Sequence, residues 1–454
     1  MLAITTRQVY LSLGGGVWLG WTILNGWHPL AGLAGAIEGC VEVLADAGNA
    51  QMLLFMLVIG ALIATVEASG GVRGFVADLE RRDWVNSPRR VRVLTILVGA
   101  VIFIESTITI LVCGAMGRPL ADRYKVSREK IAYLIDSTSA PACMLIPFNA
   151  WGAYVLGILA SLKVEDPLTT FIASMPYNFY AWGAMILAGV VAFTGWSIGP
   201  MKQAEARTRA GEVLWPGATP MVDPDVITPP VETPIPPRAV NMLIPIGVMV
   251  VMMPASLLMT GRGNMLKGSG STSVLWAVLA GLAVAWVMLL AQRAFTVDKL
   301  TKLAMRGAGG LVGLAFLMLL ALALAAVANK LGTGAYIAKI TAGTMPPVVF
   351  LPLIFCVASV VGFCTGTSWG TFAIMLPIAV PAAVALNLPL GPFVAAALSG
   401  GVFGDHASPV SDTTIISSMA AATDHIDHVR TQLPYALLAA GVAAVGFAIV
   451  GAVI

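Results

Sequence analysis

Charge is scarce in this sequence. Asp, Glu, Lys and Arg make up only 11% of its 454 residues, against about a quarter in soluble domains. Cysteine is also sparse: Cys40, Cys113, Cys143, Cys356 and Cys364 lie mostly in apolar runs without metal-ligand spacing. That excludes a disulfide framework and a zinc site. No basic cluster dominates, and a net charge of +3 argues against a nucleic-acid partner. No small-residue cleavage site follows the apolar run over 9–27, which therefore reads as a first membrane helix and not a removable signal. What the sequence has in abundance is hydrophobicity, at 58% of residues and a mean hydropathy of +0.87. These proportions describe an all-α polytopic membrane protein in the lipid bilayer, with room for roughly ten crossings of ~20 residues.

Apolar stretches long enough to span lie near 9–30, 50–68, 142–160, 177–196, 239–260, 272–291, 311–329 and 433–453. Two others, 93–117 and 347–377, are interrupted by polar residues at their centres. The one long hydrophilic segment, 197–238, contains Pro216, Pro220, Pro224 and the pairs Pro229–Pro230 and Pro236–Pro237. It reads as an extended linker without helical pattern.

The linker separates two similar halves. Gly71 and Gly332 are 261 residues apart, as are Phe75 and Tyr336. Phe103 and Phe363 introduce polar clusters, Glu105 to Thr109 and Thr365 to Thr371, at an interval of 260. Asp136, Ser139 and Pro141 are echoed by Asp405, Ser408 and Pro409. The predicted organisation is a first repeat over 1–196, the linker over 197–238, a connecting transmembrane helix over 239–260 and a second repeat over 261–454. Charge then inverts the halves. Residues 71–92 are rich in arginine while 332–350 have only Lys339; 31–49 are acidic while 292–310 are basic. Short loops rich in Lys and Arg stay in the cytoplasm, so matching loops fall on opposite sides. The N-terminus and linker are then cytoplasmic, the C-terminus external, and the membrane the cytoplasmic (inner) one.

Residues 71–92 and 118–130 are both basic and need the same side, yet only 93–117 separates them. A re-entrant hairpin resolves this, with arms of about twelve residues and a tip at Glu105–Thr107. By symmetry 347–377 is a second hairpin with its tip at Thr365–Ser368. The amphipathic segments 31–49 and 292–310 are expected along the two membrane surfaces.

The densest polar stretch runs from Gly400 to Thr414, with two carboxylates, an imidazole, hydroxyls, glycines and a proline. Ionisable groups at membrane depth persist where they face a cavity, pair or bind an ion. A helix broken there offers amide N–H groups at one end and carbonyls at the other. Carboxylates with hydroxyls suit a hard monovalent cation such as Na⁺, and a carboxylate in a low dielectric takes up a proton when the cation leaves. The residues singled out for ion chemistry are Asp136, Asp405, Asp412 and Glu105. Thr107, Ser139, Thr365, Thr367, Ser368, Ser408, Thr413 and Thr414 are candidate oxygen ligands, and His406 is expected to tune Asp405 or to titrate near neutral pH itself. The Na⁺ candidates proper are Asp136, Asp405, Asp412, Thr367 and Ser408. The competing readings are a helix cap for Asp136 or Asp412, a structural role for Glu105, and a hydrogen-bonding strut for His406. Asn149 is a weaker candidate. His425 and His428, with Asp424 and Asp427, read as a solvated face in a cytoplasmic turn, with pH sensing as the alternative. Na⁺ and H⁺ enter as transported ions, and no cofactor is called for.

At these residues the chain resembles the NhaC-type sodium/proton antiporters of the ion transporter superfamily. The run Gly404 to Thr414 is similar to that family's signature, and Thr365 to Thr371 fits it too. The resemblance extends over essentially the whole chain. It implies two inverted repeats with re-entrant hairpins and broken helices, an elevator-type architecture and a homodimeric scaffold. Two departures are Ala407, where many relatives have Cys, and Glu105–Ser106, where a Gly-Thr pattern would mirror the second hairpin. The function expected is a secondary transporter, not an enzyme, exchanging Na⁺ or another monovalent cation for H⁺. The alternative within transport is an ion-coupled exchanger of an organic anion (malate/lactate-like) or an amino acid. A distant alternative is an intramembrane aspartyl protease, disfavoured because no Tyr-Asp pair contains Asp136.

Overall fold

The computed structural model describes residues 9–81, 86–101, 106–147, 149–220, 236–264, 268–332, 336 and 346–454. All regular structure among them is helical. The first half comprises α1 (Val9–Leu24), α2 (Pro29–Ala45), α3 (Ala47–Ala68), α4 (Gly71–Arg81), α5 (Pro88–Val101), α6 (Ser106–Arg123), α7 (Arg128–Met144), α8 (Ala150–Ser161), α9 (Pro167–Ser174), α10 (Phe179–Thr194) and α11 (Gly199–Arg209). The second comprises α12 (Val240–Thr260), α13 (Gly270–Ala291), α14 (Val297–Gly310), α15 (Val312–Lys330), α16 (Pro347–Thr365), α17 (Ser368–Ala385), α18 (Leu390–Ala407), α19 (Asp412–Ala421) and α20 (His425–Val453). Among the described residues seven helical segments are long and apolar enough to cross a membrane.

Polar residues at the starts of apolar runs act as caps. The side chains of Ser127, Asn149, Thr367, Ser411 and Asp424 each accept an amide of the first turn, fixing where α7, α8, α17, α19 and α20 begin. Helix starts also recur at a steady interval. Val9 and Gly270 are 261 apart; Ser106 and Ser368, Arg128 and Leu390, and Ala150 and Asp412 are each 262 apart.

Several boundaries differ from those expected. The first break falls over 145–149, not at Asp136–Pro141: α7 runs unbroken through Pro141, and Asp136 sits mid-helix, so it is not a cap. At the 262-residue interval Asp405 falls opposite Cys143 and Asp136 opposite Leu398, so the two aspartates are not counterparts in helix register. The second hairpin has its tip where predicted, at Gly366 and Thr367, but its arms α16 and α17 have 19 and 18 residues. The segment expected to form the first hairpin contains α5 and α6, and residues 102–105 of its expected tip, Glu105 included, lie outside the described residues. The linker is not wholly extended, because it opens with α11. Residues 31–49 belong to α2 and the start of α3, and Gly32, Gly35 and Gly39 of α2 lie against Trp21 and Thr22 of α1.

Two helices are wrapped by others. Almost every residue of α7 and of α18 is buried, so neither has a lipid face and each can carry polar groups inward. Close approach of α16 to α18 depends on glycine: a Cβ on Gly404 would meet the Ser359 carbonyl and the Phe363 amide.

Candidate ion-binding site

Four helix ends meet at one point: the C-termini of α16 and α18 and the N-termini of α17 and α19. Their chain breaks, at Gly366–Thr367 and Ser408–Ser411, interlock. Gly366 adopts a left-handed φ of 66°, and a side chain there would run into the Val410 carbonyl. Ser408 Oγ donates to the Phe363 carbonyl at 2.7 Å, tying one break to the other.

Asp405 lies at the centre and is 2% exposed. Its Oδ2 accepts from Ser368 Oγ at 2.6 Å and from the Ser368 amide at 3.2 Å. Its Oδ1 accepts from Ser411 Oγ at 2.6 Å. The carboxylate therefore faces the N-termini of both α17 and α19, where helix dipoles favour negative charge. Its neighbours are hydroxyls, which can reverse and offer lone pairs. Thr413 Oγ1 extends this set at 3.0 Å from Ser411 Oγ. Thr365 donates back to Val361, and Thr367 caps α17, so both shape the tip. Trp369 clamps it: its ring lies 4.9 Å from Trp151 and 4.8 Å from Tyr154, whose hydroxyl donates to the Trp369 carbonyl.

Asp136 has different surroundings, three nitrogens and one hydroxyl. Gln432 Nε2 donates to its Oδ2 at 2.7 Å and Thr414 Oγ1 at 3.1 Å. His428 Nε2 stands 3.6 Å away and His406 Nε2 4.0 Å. His406 is held by the Tyr180 hydroxyl at 2.6 Å on Nδ1 and by Ser137 Oγ at 3.2 Å on Nε2. The pockets communicate through Ser411 Oγ, which donates to Asp405 and accepts the Thr414 amide.

Other candidates lie elsewhere. Asp412 is exposed and begins α19, where its Oδ1 accepts the Thr413 amide; the cap is Ser411, one residue before. Ser139 Oγ donates to the Asp136 carbonyl within α7. Thr107 is in the first turn of α6. Asn149 bridges the first break, donating to the Cys143 carbonyl and capping α8. His425 is a strut between Pro409 and Ser418. His428 is fully buried, contrary to the solvated turn expected for it. A cavity of about 550 Å³ opens at the far end of α8, lined by Glu42, Asp46, Lys163, Glu165 and Asp166, and includes none of the site residues.

Ser411, Gln432 and His428 were not among the residues expected at the site. A signal existed: His428 and Gln432 are four residues apart, and so share one face of a helix that becomes apolar beyond them.

The model of the Na⁺/H⁺ antiporter family matches residues 48–173 and 163–452. The chain belongs to the Na⁺/H⁺ antiporter family. An uncharacterized protein of Haemophilus influenzae is 32% identical over 99% of this chain and 89% of its own. A malate-2H⁺/Na⁺-lactate antiporter of Bacillus subtilis is 35% identical over 23% of this chain and 22% of its own. Among solved structures, the fold is similar to MtrF of Neisseria gonorrhoeae, with a TM-score of 0.63 at 14% identity over 92% of this chain and 84% of that one. YdaH of Alcanivorax borkumensis gives 0.56 at 16% identity, over 92% and 88%. This antiporter-family chain is thus a multi-pass membrane protein with a transporter fold.

Proposed function

We propose that this antiporter-family member exchanges a monovalent cation, Na⁺ foremost, for protons, and that Asp405 holds the cation. The observation that carries this is a buried carboxylate bonded to two serine hydroxyls where four helix ends converge. When a cation enters, the Ser368 and Ser411 hydroxyls turn their protons away and their oxygens replace its water shell. Asp405 supplies the compensating charge, and the carbonyls at the ends of α16 and α18 complete the shell. Asp136, beside the Gln432 amide and two imidazoles, is not a ligand on this reading, nor is the exposed Asp412.

The same proposal takes 1–196 and 261–454 as inverted repeats, a relation supported by the 262-residue recurrence of helix starts. It places the basic loops, the N-terminus and the 197–238 segment on the cytoplasmic side of the inner membrane and the C-terminus outside. The α16–α17 hairpin and the broken α18–α19 helix move against a homodimeric scaffold, as in an elevator. No catalytic step is proposed, since Asp136 and Asp405 are held by separate donors.

A second reading, exchange of an organic acid, is favoured by the B. subtilis relative. Proteoliposomes decide between the two. An imposed Na⁺ gradient is expected to drive proton movement read by an internal pH dye, without added malate or lactate. Proton movement that requires either acid supports the second reading. No movement with Na⁺, Li⁺ or K⁺ contradicts the first.

A further inference from the structure

His428 is fully buried, yet neither of its ring nitrogens has a hydrogen-bond partner among the described residues. Asp136 Oδ1, beside it, also lacks one. Buried polar groups left unpaired cost about 1–3 kcal/mol each, and native structures retain them for a reason. His428 lies on α20, one helix turn beyond the Asp424 cap, and Asp136 lies in the middle of α7.

We propose that His428 and Asp136 form a proton-binding site separate from the cation site, the proton residing on His428 Nε2 and facing Asp136 Oδ2. The proposal rests on the cation reading for its role in exchange. Geometry supports a proton over a metal ion. Gln432 Nε2 is a fixed donor to Asp136 Oδ2, and Thr414 is the one hydroxyl bonded there, against the two serine hydroxyls on Asp405. With Nδ1 keeping its own hydrogen, an added proton on Nε2 makes the ring a cation 3.6 Å from Asp136 Oδ2, an ion pair in place of a neutral imidazole beside a buried carboxylate. Loss of that proton frees Asp136 to draw more strongly on Thr414, whose amide is bonded to the Ser411 hydroxyl that holds Asp405. Proton occupancy in one pocket is thereby felt in the other.

The groups that face His428 from neighbouring helices are few. Asp136 comes from α7 and His406 from α18, the latter already bonded to Tyr180 of α10. Glu129 of α7 and Arg207 of α11 act on Asp427 of the same helix. Asp412 of α19 is exposed, and α16 brings only Cys356 and Cys364.

The chain has four histidines, so ¹⁵N-histidine NMR in lipid nanodiscs resolves each ring, with His428 assigned by its loss in His428→Gln. The ring shifts are followed over about pH 5 to 8, the window of imidazole titration. The His428 ring is expected to take up a proton in the wild type and to stay neutral throughout in Asp136→Asn. His428→Gln is also expected to slow pH-gradient-driven cation uptake by about tenfold or more, equivalent to about 1.4 kcal/mol of barrier. A His428 that stays neutral in the wild type overturns the proposal. So does one that titrates identically in Asp136→Asn, or an unchanged pH profile of uptake in His428→Gln. If His428→Gln does not fold, removing the other three histidines one at a time assigns the fourth signal, and the Asp136→Asn comparison stands. If the wild type moves no cation while His428 titrates with Asp136, the cargo assignment fails and the proton site survives. If cations move and His428 is silent, the reverse holds.

Discussion

Asp405→Asn is expected to abolish cation-coupled proton movement while leaving a folded protein. Asparagine keeps the shape of the side chain and an oxygen for Ser411 or Ser368, but it removes the charge that offsets a cation in a buried junction. Breaking a buried charge pair by deleting one partner costs about 3–5 kcal/mol. At 1.4 kcal/mol per decade, that is about a hundredfold or more in cation affinity, enough to silence exchange at ordinary gradients. Proton flux in liposomes measures the loss, and detergent-extracted protein eluting as the wild type does shows that the fold is intact. Wild-type exchange in this variant would remove Asp405 from the site.

The largest expected loss of stability is at the other end of α7. Arg207 of α11 grips Glu129 with two parallel hydrogen bonds, at 2.8 and 3.0 Å, and both side chains are almost fully buried. The same guanidinium donates to the Val213 and Glu212 carbonyls and lies over the Trp215 ring. Beside it Lys130 pairs with Glu205, which also accepts from the Ser127 amide and hydroxyl. Arg207→Met strands the Glu129 charge, at a cost of about 3–5 kcal/mol. The expected result is a thermal unfolding midpoint several degrees lower, with most of it recovered when Glu129→Met is added. That recovery follows because an apolar pair of similar volume carries no desolvation penalty. A wild-type midpoint in Arg207→Met alone would show that this strap over the ends of α7 and α20 is not part of the stable fold.

The membrane architecture was legible because long apolar runs have few alternatives. The tip at Gly366–Thr367 and the position of Asp405 beside it followed from hydroxyls, glycine and carboxylate clustered inside such runs. Other features left no local mark. Pro141 looked like the first break, but α7 absorbs it and ends over 145–149, near Pro147, where Asn149 can close the gap. His428 looked solvated because Asp424, Asp427 and Arg430 surround it in sequence; helical geometry turns it inward while Ile426 and Arg430 face out. The order in 199–219 comes from Arg207, Glu205 and the contact of Thr219 with Asp424, all partners distant in sequence that no local pattern reveals.

The central claim is that the transported cation sits against Asp405. Diffraction from crystals soaked in a thallium(I) salt, with anomalous signal recorded at the thallium edge, tests it most directly. The account predicts an anomalous peak in contact with Asp405, Ser368 and Ser411, displaced by competing Na⁺. A Na⁺-displaceable peak against Asp136, with the Asp405 pocket empty, would contradict it.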